Sequence, residues 1–99
     1  MTRRRTQFAA RALDDLTAIG DFIAQDNPAR ARSFVRELVA RCERIADQPR
    51  TAPLRPEIGP GVRVIAAGSY LVIYTQQDDG AFLVERVVHG ARDLGALGL

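Results

Sequence analysis

The sequence predicts an α+β fold, an antiparallel helix hairpin packed on a small, mainly antiparallel sheet in the order β-α-α-β-β-β. Three observations carry this. Apolar residues between positions 10 and 45 recur at helical spacing, in two stretches divided by one turn signal. Four of the five prolines fall between residues 49 and 61 and close the helical part. Beyond them come three β-rich runs at hairpin spacing. Ninety-nine residues fit one domain, 1–99.

Residues 4–8, "RRTQF", read as a short first strand of mixed propensity. From Ala10 the period turns helical. Ala12, Leu16, Ile19 and Ile23 stand at i, i+4, i+7 and i+11, with Leu13 and Phe22 flanking the stripe. Asp14 and Asp15 suit the N-terminal half of a helix, where the macrodipole favours anions. Gly20 costs this helix about 1 kcal/mol against alanine and admits a close helix contact. "QDNPARA" ends one helix and opens the next, with Asn27 as N-cap and Pro28 at the first helical position. The second helix gathers Ala31, Phe34, Val35, Leu38, Cys42 and Ile45 on one face. Glu37 and Arg41 form a favourable i,i+4 pair, and Pro49 closes the segment. So short a turn between two amphipathic helices makes them antiparallel.

Residues 49–61, "PRTAPLRPEIGPG", form a loop. The strands expected next are Val62–Ala67, Tyr70–Gln76 and Phe82–His89. "GS" divides the first two, and "DDG" at Asp78–Gly80 is a hairpin signal. The helices then cover one sheet face. The first two of these runs are apolar at both parities, as expected if a partner covers the second face.

Composition removes several classes of function. Every one of the 14 basic residues is arginine, yet the net charge is only +2 and acids are interspersed. That balance does not by itself imply nucleic-acid binding. No apolar run reaches the roughly 18–20 residues of a membrane span. The basic start "MTRRRTQFAA" lacks a signal-peptide core. One cysteine allows no internal disulfide, so a cytoplasmic location is expected. One histidine and one cysteine do not make a standard zinc set, and "GPG" at residues 59–61 lacks a phosphate-loop pattern. No cofactor and no metal are expected. Cys42, on an apolar helix face, reads as a buried structural thiol.

Four stretches, "DNPARARSFV", "RPEIGPGVR", "GSYLVIY" and "RVVHGARDL", resemble the ParE branch of the RelE/ParE toxin superfamily. The resemblance runs from about Ala12 to Leu94. It departs in the first strand, which is less apolar than usual, and at Ala9, where a Ser or Thr cap is common. It implies a toxin of a type II toxin–antitoxin system, neutralised in a hetero-oligomer by a ParD-like antitoxin. Its implied target is DNA gyrase, bound without catalysis, with DNA reached only indirectly through the antitoxin. The RelE branch instead cleaves ribosome-bound mRNA, which gives a second reading as a metal-independent endoribonuclease. A degenerate antitoxin-binding module is a third.

Metal-free RNA cleavage needs a base for the 2′-hydroxyl, cations for the phosphorane and an acid for the leaving oxygen. The chain offers Glu57, Arg63, Arg86, His89 and Arg92. Against that chemistry, there is no lysine and no tyrosine after Tyr74. His89 reads as a cap at a strand end, or with Arg92 as part of a target-binding surface. Arg86 reads as an ion pair with Glu85, Asp93 or an acidic helix residue. Tyr70 and Tyr74 share a strand face, as core, partner contact or base-stacking pair. The surplus apolar positions Leu13, Phe22 and Val39, with Arg32, Arg36, Arg63 and Arg86, are the expected antitoxin contacts. An amphipathic partner segment would lie on the outer side of the hairpin and cross the open part of the sheet.

Overall fold

A computed structural model describes residues 5–47 and 52–90. The elements follow the expected order: β1 (Thr6–Phe8), α1 (Ala10–Ala24), α2 (Pro28–Glu43), a 3₁₀ turn at Arg44–Ala46, β2 (Arg63–Ala67), β3 (Tyr70–Gln76) and β4 (Phe82–His89). The four strands form one sheet in the order β1-β4-β3-β2. β2, β3 and β4 make an antiparallel meander, while β1 lies parallel to β4, with Thr6 opposite Phe82 and Phe8 opposite Val84.

Local chemistry accounts for the helix ends. The Asn27 side chain accepts from the Arg30 N–H at 3.0 Å, and Pro28 occupies the first turn, where its missing N–H costs nothing. α1 begins after Ala9 without a side-chain cap. Ala9 instead donates its backbone N–H to Val84 O, so the sheet holds the start of this helix. At the far end of α2 the Thr6 hydroxyl donates to Cys42 O at 3.1 Å, satisfying a terminal carbonyl and tying β1 to the helix. α2 ends at Glu43, and Pro49, the expected stop, lies outside the described residues. Glu37 pairs with Arg30 at 2.6 Å, not with Arg41. The Arg30 guanidinium also lies over the Phe34 ring, 5.2 Å from its centroid.

The hairpin covers one sheet face. Leu16, Ile19, Leu38, Cys42 and Ile45 pack on Val72, Tyr74, Phe82, Val84 and Val87. Gly20 sits at the helix crossing, where an added Cβ would come within 3.2 Å of Val35 Cγ2. The second face is not left for a partner at every apolar position. Ile58 from the proline-rich loop closes over Val62, Ile73 and Val88, with Val64 and Leu71 at the margin. Leu54 bridges Arg63, and Arg55 N–H donates to Val62 O, so the loop is tied to the start of β2. The chain's own loop thus covers part of the second face, where the two-sided apolarity of β2 and β3 fitted a covering partner.

Strand β4 carries a bulge. Its register with β3 jumps between Ile73 opposite Arg86 and Tyr74 opposite Val84, leaving Glu85 as the extra residue. The extra residue resets the alternation, so that both Val84 and Val87 join the helix-side core. Among the described residues no strand continues β1 beside β4 beyond Val84.

Candidate functional site

Two regions of the molecule concentrate the residues singled out in the sequence: the end of β4 and the outer side of the helix hairpin. At β4 the bulge aims Arg86 at α1. Its Nε donates to Asp15 Oδ2 at 2.7 Å and one terminal nitrogen to Asp15 Oδ1 at 3.0 Å. The same Oδ2 accepts the Val87 N–H at 2.9 Å, where β1 no longer lies beside β4. Arg86 is buried. The hydrogen bonds to Asp15 hold its guanidinium charged, shifting its pKa above the ordinary arginine value. Asp15 stands in the second turn of α1 as the ligand of this arginine, a stronger role than its expected complement to the macrodipole. Arg86 is thus the ion pair with an acidic helix residue. It is unavailable to an antitoxin acid, which corrects its place among the partner contacts.

The other members of the ribonuclease set are dispersed. Glu57 lies in the loop, bound by Arg55 Nε at 2.7 Å. That hydrogen bond holds its carboxyl below the ordinary glutamate pKa, away from the near-neutral value that suits a general acid. Arg63 donates to the Ala52 carbonyl, which anchors the loop to β2. It too is engaged within the chain and does not line the hairpin. His89 is exposed at the end of β4, its ring edge-on to Tyr70 at 5.6 Å between centroids. Tyr70 in turn contacts Phe34 at 5.6 Å. Tyr74 is core, edge-on to Phe82. Its hydroxyl has no hydrogen-bond partner among the described residues, and burial raises its pKa. Arg92 and Asp93 lie outside the described residues. Among the described residues, no group of three or more His, Cys, Asp or Glu is placed to hold a metal ion, and no helix is long and apolar enough to cross a membrane.

The outer side of the hairpin is a groove of about 700 Å³ between α1 and α2. Its α1 wall carries Leu13, Leu16, Thr17, Gly20, Asp21 and Ala24. Its α2 wall carries Pro28, Ala31, Arg32, Val35 and Arg36. The small residues Gly20, Ala24 and Ala31 let an incoming backbone approach closely. Leu13 is 51% exposed, a large apolar side chain at the groove that the chain itself does not cover. The structure therefore brings together Leu13, Arg32 and Arg36 of the expected antitoxin contacts. It separates Phe22 and Val39 from them. Phe22, 67% exposed, does not line the groove. It is nine residues from Leu13, two and a half helical turns, and so projects from the opposite flank of α1. Val39 packs against the main core. Sequence reasoning missed Thr17, Gly20, Ala24 and Pro28 as groove lining, because small residues give no hydrophobic signal. The i, i+4, i+7, i+11 spacing of Leu13, Thr17, Gly20 and Ala24 is the cue for that face.

The sequence model of a family described as the ParE toxin of the parDE type II toxin–antitoxin system matches residues 7–94. Two curated relatives, each called Toxin ParE1 and each from a strain of Mycobacterium tuberculosis, are 35% identical to this chain over 65 residues. The matched stretch is 66% of this chain and 66% of each relative, just under two thirds. A chain from the chromosomal ParDE toxin–antitoxin system of P. aeruginosa superposes with a TM-score of 0.75 at 19% identity, covering 88% of this chain and 96% of that one. A chain from the RelBE2 toxin–antitoxin complex of M. tuberculosis superposes with a TM-score of 0.65 at 22% identity, covering 89% and 99%. At these identities the two structures are similar to this chain in fold.

Proposed function

The chain belongs to the ParE toxin family of type II toxin–antitoxin systems, and from that membership we propose a non-catalytic cytoplasmic toxin that is held by a ParD-like antitoxin and acts by binding DNA gyrase. The 1–99 unit serves as one domain, and DNA is reached only through the antitoxin.

What carries the non-catalytic reading is the commitment of the candidate cleavage groups to structural bonds. Arg86 is closed into a buried pair with Asp15, Arg63 donates to the Ala52 carbonyl, and Glu57 stands apart from both in an exposed pair with Arg55. A phosphorane needs cations free to meet it and an acid and a base that share one reacting centre. A protein that acts by binding needs neither, only a surface that fits one state of a larger machine. The exposed end of β4 at His89, with Arg92 beyond it, is that surface in this reading.

Antitoxin binding falls to the groove. Leu13 at its edge, the apolar floor and two arginines on one wall suit an amphipathic helix laid along the hairpin. The test is expression in growing cells without antitoxin. Growth should stop with an induced DNA-damage response and intact bulk mRNA. Rapid cleavage of ribosome-bound mRNA with undamaged DNA would replace this reading with the endoribonuclease one. Growth without arrest would leave an antitoxin-binding module.

A further inference from the structure

We infer that the hairpin groove selects its antitoxin by charge, with Arg32 and Arg36 reading a pair of acidic residues four apart on the docked helix. Asp21, on the facing wall, takes a basic residue on the helix's other flank. This rests on the groove being the antitoxin site.

Arg32 and Arg36 are both exposed and line the same wall. No hydrogen bond or ion pair engages either of them among the described residues, whereas Arg30, Arg55 and Arg86 are each paired within the chain. They stand at i and i+4 on α2, so two like charges face each other across one turn, an arrangement that weakens an isolated helix. An acidic partner turns that repulsion into attraction. Four residues of helix rise about 6 Å. A helix lying along the groove presents its own i,i+4 acids at the same spacing, so both pairs form in one register. The pairs remain at the groove's rim, open to water. They therefore discriminate among partners and set orientation, while the apolar floor supplies most of the affinity.

The facing wall makes the selection directional. Asp21 is the acidic residue lining the α1 side, and Arg32 and Arg36 are the basic residues lining the α2 side. An amphipathic helix with acids on one flank and a base on the other matches these walls in one direction. Turned end for end, it sets acid against Asp21 and base against the arginines. The groove thereby fixes which way the antitoxin chain runs along the hairpin.

The test uses two synthetic helical peptides of about 18 residues with one alanine–leucine stripe. The first carries two glutamates four apart on one flank and a lysine on the other. The second has both glutamates replaced by lysine. At low ionic strength the glutamate peptide should bind the full chain about tenfold more tightly. The preference should shrink in 0.5 M salt. Against the double variant Arg32→Glu/Arg36→Glu it should reverse, with circular dichroism confirming that this variant is folded. A spin label on the peptide's N-terminus should broaden signals at one end of the groove only. Equal affinities, or an unchanged preference in the double variant, overturn the charge reading and leave the groove as the antitoxin site. Binding of neither peptide overturns both.

Discussion

Arg86 and Asp15 are joined by two side-chain hydrogen bonds, and the same carboxylate takes a third from the Val87 N–H. Removing one partner strands a buried charge, which costs about 3–5 kcal/mol, a large part of the 5–15 kcal/mol that holds an ordinary domain together. Asp15→Asn and Arg86→Met should each lose stability on that scale in denaturant titrations. The double variant should lose less than the sum, because neither side chain of the Asn–Met pair leaves a buried charge. Strict additivity would show that the pair is not a coupled unit. Cys42 supplies a second residue-scale test. Burial pushes its thiol from 9.0 up to about 11. The folded thiol keeps its proton through the interval in which the unfolded one loses it. Stability is therefore full below pH 9 and falls as pH rises toward 11, by about 1.4 kcal/mol per pH unit at most. Tyr74, raised in the same direction, adds to the loss at the upper end. Cys42→Ala should flatten the fall between pH 9 and 11. An unchanged slope would place its origin in Tyr74 or elsewhere.

At the scale of elements, α1 serves three surfaces at once. Ala12, Leu16 and Ile19 face the core, Asp15 faces β4, and Leu13, Thr17 and Gly20 line the groove. The two large exposed apolar residues of this helix are therefore separable by experiment. Leu13→Asp should weaken antitoxin binding on the order of 30-fold, the equivalent of about 2 kcal/mol of lost apolar burial. Phe22→Asp should leave it within about threefold. Equal losses from both, measured by isothermal titration on the folded variants, would mean that the partner wraps α1 instead of lying in the groove. This division was partly legible beforehand. Periodicity located the core stripe, and Asn27–Pro28 located the second helix, because both are local signals. The strands β3 and β4 matched their expected bounds, since alternation and turn residues bracket them closely. The nine-residue spacing of Leu13 and Phe22 sets them on opposite flanks of α1, so one groove does not hold both. The Glu85 bulge was not legible, because a bulge depends on the register of a neighbouring strand. Neither was the choice of Asp15 over Glu85 or Asp93 as the partner of Arg86, a contact spanning 71 positions.

At the scale of the whole molecule, the sheet is enclosed on the helix side by the hairpin and partly on the other by the Ile58 loop. Under the proposed function the antitoxin takes the groove and the target the β4 end, set on different elements. The helix-side core and the Asp15–Arg86 bonds lie between them. A chain built this way can meet an antitoxin at one place and a target at another. Its family membership and its fold were both legible from ordered short motifs. The groove was not, because it arises from how two helices pack and not from either one alone. In the proposed function the chain poisons gyrase by binding and not by cleavage. The direct measurement is a supercoiling assay with purified chain, DNA gyrase and relaxed plasmid, run with the wild type and with His89→Gln. Both proteins should inhibit supercoiling, the variant losing no more than one surface contact supplies, on the order of tenfold, well short of the upper range of the ~10²–10⁴-fold a general acid or base contributes. Undiminished supercoiling beside cleavage of ribosome-bound mRNA, with the cleavage lost in His89→Gln, would contradict the account.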